Sequence, residues 1–150
     1  MKNFFIALFL GCSLTATAQC CQNGNSAKCA VAQSTGKTAS QVEVIYFHGK
    51  QRCPTCVAIE QESRNVVEGE LADLFVSGSV KMRVVDFSKE EGKELAKKYK
   101  VTFSSLFVVA NPGENEQAEN LTNLGFSKAR SDAEGFRQEL RSKITAMLGQ

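Results

Sequence analysis

The chain has 150 residues, 43% of them apolar and 23% charged, proportions of an ordinary globular domain rather than of a disordered chain or a membrane bundle. Eighteen Lys and Arg stand against sixteen Asp and Glu, too even a balance for an electrostatic nucleic-acid footprint. The length suits one domain with a short tail.

Residues 1–18 have the make-up of a secretory signal peptide: Lys2 gives the positive end, Phe4 to Leu10 the apolar stretch, and Ala16-Thr17-Ala18 a small-residue cleavage site before Gln19. The apolar run is too short to span a bilayer. An exported protein, periplasmic or secreted, is expected. The alternative is a lipoprotein leader with Cys12 or Cys20 as the lipidated residue, which would anchor the chain to the outer face of a membrane. Cleavage after Ala18 leaves five cysteines, Cys20, Cys21, Cys29, Cys53 and Cys56, in a compartment where disulfides persist. Residues 19–41 are nearly all small or polar beyond the first cysteines, without apolar period, and are expected to form a flexible tether.

A domain over 42–150 follows. Val42 to Phe47 is β-branched and aromatic, bounded by Gly49, and predicts a buried strand. Beyond Cys56 the spacing of Ile59, Val66, Val67, Leu71, Leu74 and Phe75 predicts one long helix, stopped by Ser77-Gly78-Ser79. Val80 to Phe87 predicts a second strand. Ser88 with Glu91 has the spacing of a capping box opening a short helix that turns Leu95, Ala96 and Tyr99 inward. Leu106 to Ala110 predicts a third strand ended by Asn111-Pro112-Gly113, and a weak fourth strand is expected from about Glu119 to Leu124, before Gly125. Ser131 and Glu134 suggest another cap, and Phe136, Leu140, Ile144 and Leu148 the inner face of a closing helix. The order β-α-β-α-β-β-α predicts an α/β fold with a mixed sheet of four strands and helices on both faces, because the first two strands need a crossover while the last two can pair through a short turn.

Cys53-Pro54-Thr55-Cys56 carries the candidate chemistry. With six cysteines in 150 residues the spacing alone is weak evidence, and its setting matters more. The pair follows a buried strand by a short loop and opens an amphipathic helix, which would place Cys53 over the unsatisfied N–H groups of the positive helix end. Arg52 adds a neighbouring cation, and such surroundings lower a cysteine pKa from ~8.5 to about 3.5–7.5. Pro54 falls in the first turn, where its missing N–H is no loss.

On these residues the chain from about Gln41 to Leu148 resembles the thioredoxin-like superfamily. Cys-Pro-Thr-Cys resembles that family's active-site tetrapeptide, Tyr99-Lys100-Val101-Thr102 the approach to its third strand, and Leu124 to Lys128 its entry to the final helix. More narrowly, Tyr46-Phe47-His48, Cys53 to Cys56 and Ile59-Glu60 are similar to exported thioredoxin-like proteins labelled as subunits of a nitrophenyl-compound nitroreductase linked to organoarsenical resistance. The resemblance implies a thioredoxin-like fold, Cys53 as exposed nucleophile, Cys56 as resolving thiol, no cofactor, and a protein thiol or disulfide partner, with a membrane reductase as one source of electrons. Two departures stand out. Ser105 occupies the place of the family's cis-proline, and the buried acid of the first strand is missing where Tyr46 and Phe47 stand. Glu60, a turn after Cys56, could accept protons instead, although an exposed helix-face glutamate explains it as simply. His48 could relay a proton or merely pack at a strand end.

Two other functions remain open at this level. Cys20, Cys21 and Cys29 could join Cys53 and Cys56 as soft ligands for arsenic, copper or zinc. Alternatively, the domain could hold a partner without catalysing anything.

Overall fold

The computed structural model describes residues 39–113 and 115–149; the leader, most of the tether and Cys12, Cys20, Cys21 and Cys29 lie outside them. The described residues already pack against the domain at Ala39, three residues ahead of the first strand. Ala39 is buried and its N–H donates to the Met147 carbonyl at 3.0 Å, while the Ser40 N–H donates to Asn111 Oδ1 at 3.0 Å.

The first strand, β1 (Val42–His48), is the centre of the sheet. It pairs in parallel with β2 (Val80–Asp86), Tyr46 opposite Val84, and antiparallel with β3 (Ser105–Ala110), Tyr46 opposite Leu106. A fourth strand, β4 (Gln117–Asn120), pairs antiparallel with β3, giving the order β2-β1-β3-β4. This four-stranded mixed sheet, flanked by helices, is the α/β architecture that the element order predicted, and its strand order and directions fit the thioredoxin-like fold that the resemblance implied.

Strand alternation divides the core in two. Val42, Val44 and Tyr46 of β1 face the layer that includes Ile59, Val66, Phe136, Leu140 and Ile144, whereas Ile45 and Phe47 face Leu95, Ala96 and Tyr99. On the second side the Phe47, Tyr99 and Phe107 rings meet with centroids 5.3 to 5.9 Å apart, in the tilted and edge-on arrangements that aromatic quadrupoles favour.

The helices depart from expectation in four places. The long helix is α1 (Pro54–Arg64), a π-helical turn (Asn65–Glu70) and a short α2 (Ala72–Val76). In the π turn the Leu71 N–H reaches the Val66 carbonyl at 2.8 Å. The added residue lets Val66, Val67 and Leu71 all stay buried and turns Phe75 outward, 39% exposed. Helix α3 (Glu90–Lys98) is preceded by Lys89, not by a Ser88 cap: the Ser88 N–H and hydroxyl both donate to Asp86 Oδ1, an Asx-type turn that competes with capping. The stretch read as the end of a fourth strand is a helix, α4 (Thr122–Lys128), and β4 stops at Asn120. The closing helix α5 (Ala133–Leu148) is capped by Asp132, which accepts from the Gly135 N–H, while the Ser131 hydroxyl donates to the Ser127 carbonyl.

Gly92 marks the tightest contact between α3 and the sheet: a Cβ there would lie 2.3 Å from the Asp86 carbonyl oxygen. Backbone cannot yield as a side chain can, so Gly92→Ala should cost about 2 kcal/mol in urea unfolding. Gly69→Ala, where a Cβ meets nothing within 4 Å, should leave stability equal or slightly raised; equal stability of the two variants would refute this packing.

Candidate functional site

The site is built where β1 stops and α1 starts. Cys53 is the N-cap of α1, with extended φ and ψ of −74° and 160°, and Pro54 occupies the first helical turn. The Cys56 N–H donates to Cys53 Sγ at 3.1 Å, and the Val57 N–H donates to the Cys53 carbonyl at 3.0 Å. Sulfur therefore does the capping that a serine or aspartate oxygen usually does. The two cysteines are joined as a disulfide with Cα atoms 5.0 Å apart, inside the ordinary range. Cys53 is exposed and Cys56 is buried. An incoming group can thus reach only the first sulfur directly.

Beneath the pair lies Tyr46, with 0% exposure. Its hydroxyl donates to the Cys56 carbonyl at 2.8 Å, and the Ser104 side chain stands beside the same oxygen. Burial pushes the phenol pKa up, with Ser104 and Arg52 pulling the other way. The group therefore stays protonated well above neutral pH.

Arg52, Glu60, Ser105 and His48 make contacts that the sequence did not specify. Arg52 is ion-paired with Glu60 and lies over the Tyr46 ring, 5.9 Å from its centroid. Its charge is therefore shared with a carboxylate instead of being given wholly to Cys53. Glu60 also meets Arg64 Nε at 3.4 Å, and its side chain is only 18% exposed, so it is ion-paired on two sides and is not an exposed helix-face residue. Ser105 opens β3 opposite Phe47, and its hydroxyl donates to the Phe103 carbonyl at 2.8 Å. The serine that bears on the buried Tyr46 phenol, lowering its pKa against the effect of burial, is Ser104. No peptide bond among the described residues is cis. His48 stacks on Tyr46 at 6.2 Å, and its Nδ1 lies 3.0 Å from the Gly49 carbonyl oxygen; it borders the site through Tyr46.

Sequence reasoning missed Tyr46 and Ser104 as site residues. One signal was available for the first, because a tyrosine inside a buried strand needs a partner for its hydroxyl. Two apolar side chains next in sequence to site residues are exposed: Val57, 45% exposed, follows Cys56, and Phe103, 61% exposed, precedes Ser104. Among the described residues no three His, Cys, Asp or Glu side chains come together as a metal site, and the tail cysteines of the five-thiol alternative lie outside those residues. No described helix is long and apolar enough to cross a membrane.

No family model and no curated protein matches the chain. Among solved structures, a thioredoxin from Thermus thermophilus aligns with 24% identity over 71% of this chain and 76% of its own, with a TM-score of 0.46. A malarial protein aligns with 20% identity over 55% of this chain and 82% of its own, with a TM-score of 0.40. Neither description names a nitroreductase. At these scores the fold assignment rests on the strand order and directions of the chain itself.

The difference in exposure between the two sulfurs has a direct chemical consequence. In the reduced protein, iodoacetamide should modify Cys53 at least about tenfold faster than Cys56, as read by peptide mass spectrometry, because the thiolate at the helix end is both accessible and stabilised. Equal rates would contradict the site described.

Proposed function

We propose that this chain is an exported thiol–disulfide oxidoreductase in which Cys53 is the attacking sulfur and Cys56 the resolving one. The observation that carries the reading is the asymmetry of the pair: an exposed N-cap sulfur receives the Cys56 N–H, and its partner is buried one turn further into α1. A purely structural disulfide is a poor explanation, since a loop of two intervening residues adds little constraint to the unfolded chain.

In the reducing direction the Cys53 thiolate attacks a partner disulfide, forming one S–S bond and expelling one partner thiolate, which takes a proton from water. Cys56 then loses its proton to solvent and attacks Cys53 Sγ. The internal disulfide closes and the second partner thiolate leaves. Two electrons pass to the partner, and the reverse sequence oxidises a dithiol. Donors at the helix N-terminus favour the Cys53 thiolate both as attacking group and as leaving group.

Thiol-bearing proteins are the partner class, and the exposed Cys53 sulfur is where they would be met. The leader composition supports export, with a membrane reductase as one source of electrons. Delivery of electrons to a nitroreductase partner, which the resemblance of the 46–60 run implies, would employ the same pair.

Replacing Cys56 by Ser should trap a covalent adduct between Cys53 and an exported protein, visible as a dithiothreitol-sensitive band on non-reducing gels. Cys53→Ser should abolish both the adduct and disulfide exchange in an insulin-reduction assay. A Cys56→Ser protein that forms no adduct, together with a wild-type protein inert toward insulin, would sink the proposal.

A further inference from the structure

Tyr46 is tied to the cysteine pair from the centre of the sheet. It sits on the central strand, paired on one side with Val84 and on the other with Leu106, and has no exposure. Its hydroxyl is fixed to the Cys56 carbonyl, its ring is covered by the Arg52 guanidinium, and Ser104 adjoins its oxygen. The other side-chain bond to the Cys56 backbone comes from Cys53 Sγ, which accepts the Cys56 N–H at 3.1 Å. That second tie cannot survive turnover unchanged, because Cys53 Sγ moves to a partner sulfur whenever a mixed disulfide forms.

We infer that Tyr46 is a positioning residue that keeps Cys56 within closing distance of Cys53 while Cys53 is bonded to its partner. The inference rests on the oxidoreductase reading and deepens it. With Cys53 joined to glutathione, the Cys56 thiol gives its proton to water and its sulfur attacks Cys53 Sγ; the internal S–S bond forms as glutathione leaves as thiolate and takes up a proton. A phenol anchored to the sheet limits the conformations that Cys56 must give up in that step, and so favours the closed disulfide in both rate and equilibrium.

The test uses the full chain in glutathione redox buffers. In Tyr46→Phe the equilibrium between internal disulfide and dithiol should move about fivefold toward the dithiol, the factor that corresponds to one hydrogen bond worth ~1 kcal/mol. The glutathione adduct on Cys53, followed by mass spectrometry after acid quench, should decay at least threefold more slowly. Urea unfolding of each redox form separates this role from plain structural support, which would lower both forms equally and leave the equilibrium unmoved. Ser104→Ala, a milder change beside the same oxygen, should shift the equilibrium in the same direction by about twofold and serves if Tyr46→Phe does not fold. Unchanged equilibrium and adduct lifetime in the variant that folds would overturn the positioning role, provided the wild-type protein exchanges with glutathione. A wild-type protein that neither forms the adduct nor equilibrates would instead bring down the oxidoreductase reading, and this inference with it.

Discussion

The hydrogen bond from the Cys56 N–H to Cys53 Sγ is the contact on which the rest of the site depends. It makes a sulfur the cap of a helix, and so places that sulfur where free N–H groups and the positive end of the helix dipole meet. Everything around it keeps the geometry in place. Central β1, paired on both sides, delivers the chain to the short loop before Cys53, and Pro54 starts the helix with φ already suited to it. Ile59, one turn beyond Cys56, locks α1 onto the sheet with no exposed surface.

Around this cap the charges are balanced, not merely positive. Arg52 is held between the Glu60 carboxylate and the Tyr46 ring, so the cation nearest Cys53 in sequence is already partly neutralised. A thiolate forming at Cys53 would compete with Glu60 for that guanidinium. Below, the phenol of Tyr46 on the first strand donates a hydrogen bond to the Cys56 carbonyl without holding a charge at neutral pH. The chemistry of the pair is thus set by a helix end, a shared arginine and an uncharged anchor.

Much of the fold was legible because it follows from periodicity. The buried run Val42 to Phe47, the apolar run Leu106 to Ala110 and the four-residue recurrence of Phe136, Leu140, Ile144 and Leu148 each announce one element, and each is buried as expected. The misread elements are those where local signals conflict with packing. Gly125 reads as a strand terminator, yet it lies within α4, where a Cβ would stand 3.0 Å from Ile59 Cδ1, so the absent side chain eases the close approach of α4 to α1. The π turn is invisible in a 3.6-residue pattern because it exists to correct the phase of that pattern. Ser88 and Ser131 have the composition of caps, but their hydroxyls found nearer acceptors in Asp86 and Ser127.

By itself the sequence determined that Cys53 and Cys56 would stand at the start of a helix that follows a buried strand, because strand and helix periods and the capping position are properties of neighbouring residues. The tertiary structure alone decided that Cys56 is buried while Cys53 is open, that Arg52 turns to Glu60, and that Tyr46 and Ser104 close the site from below. Those outcomes depend on distances between segments up to about sixty residues apart, from Tyr46 to Ser104, which are set when the sheet and α1 pack together. No local pattern carries that information.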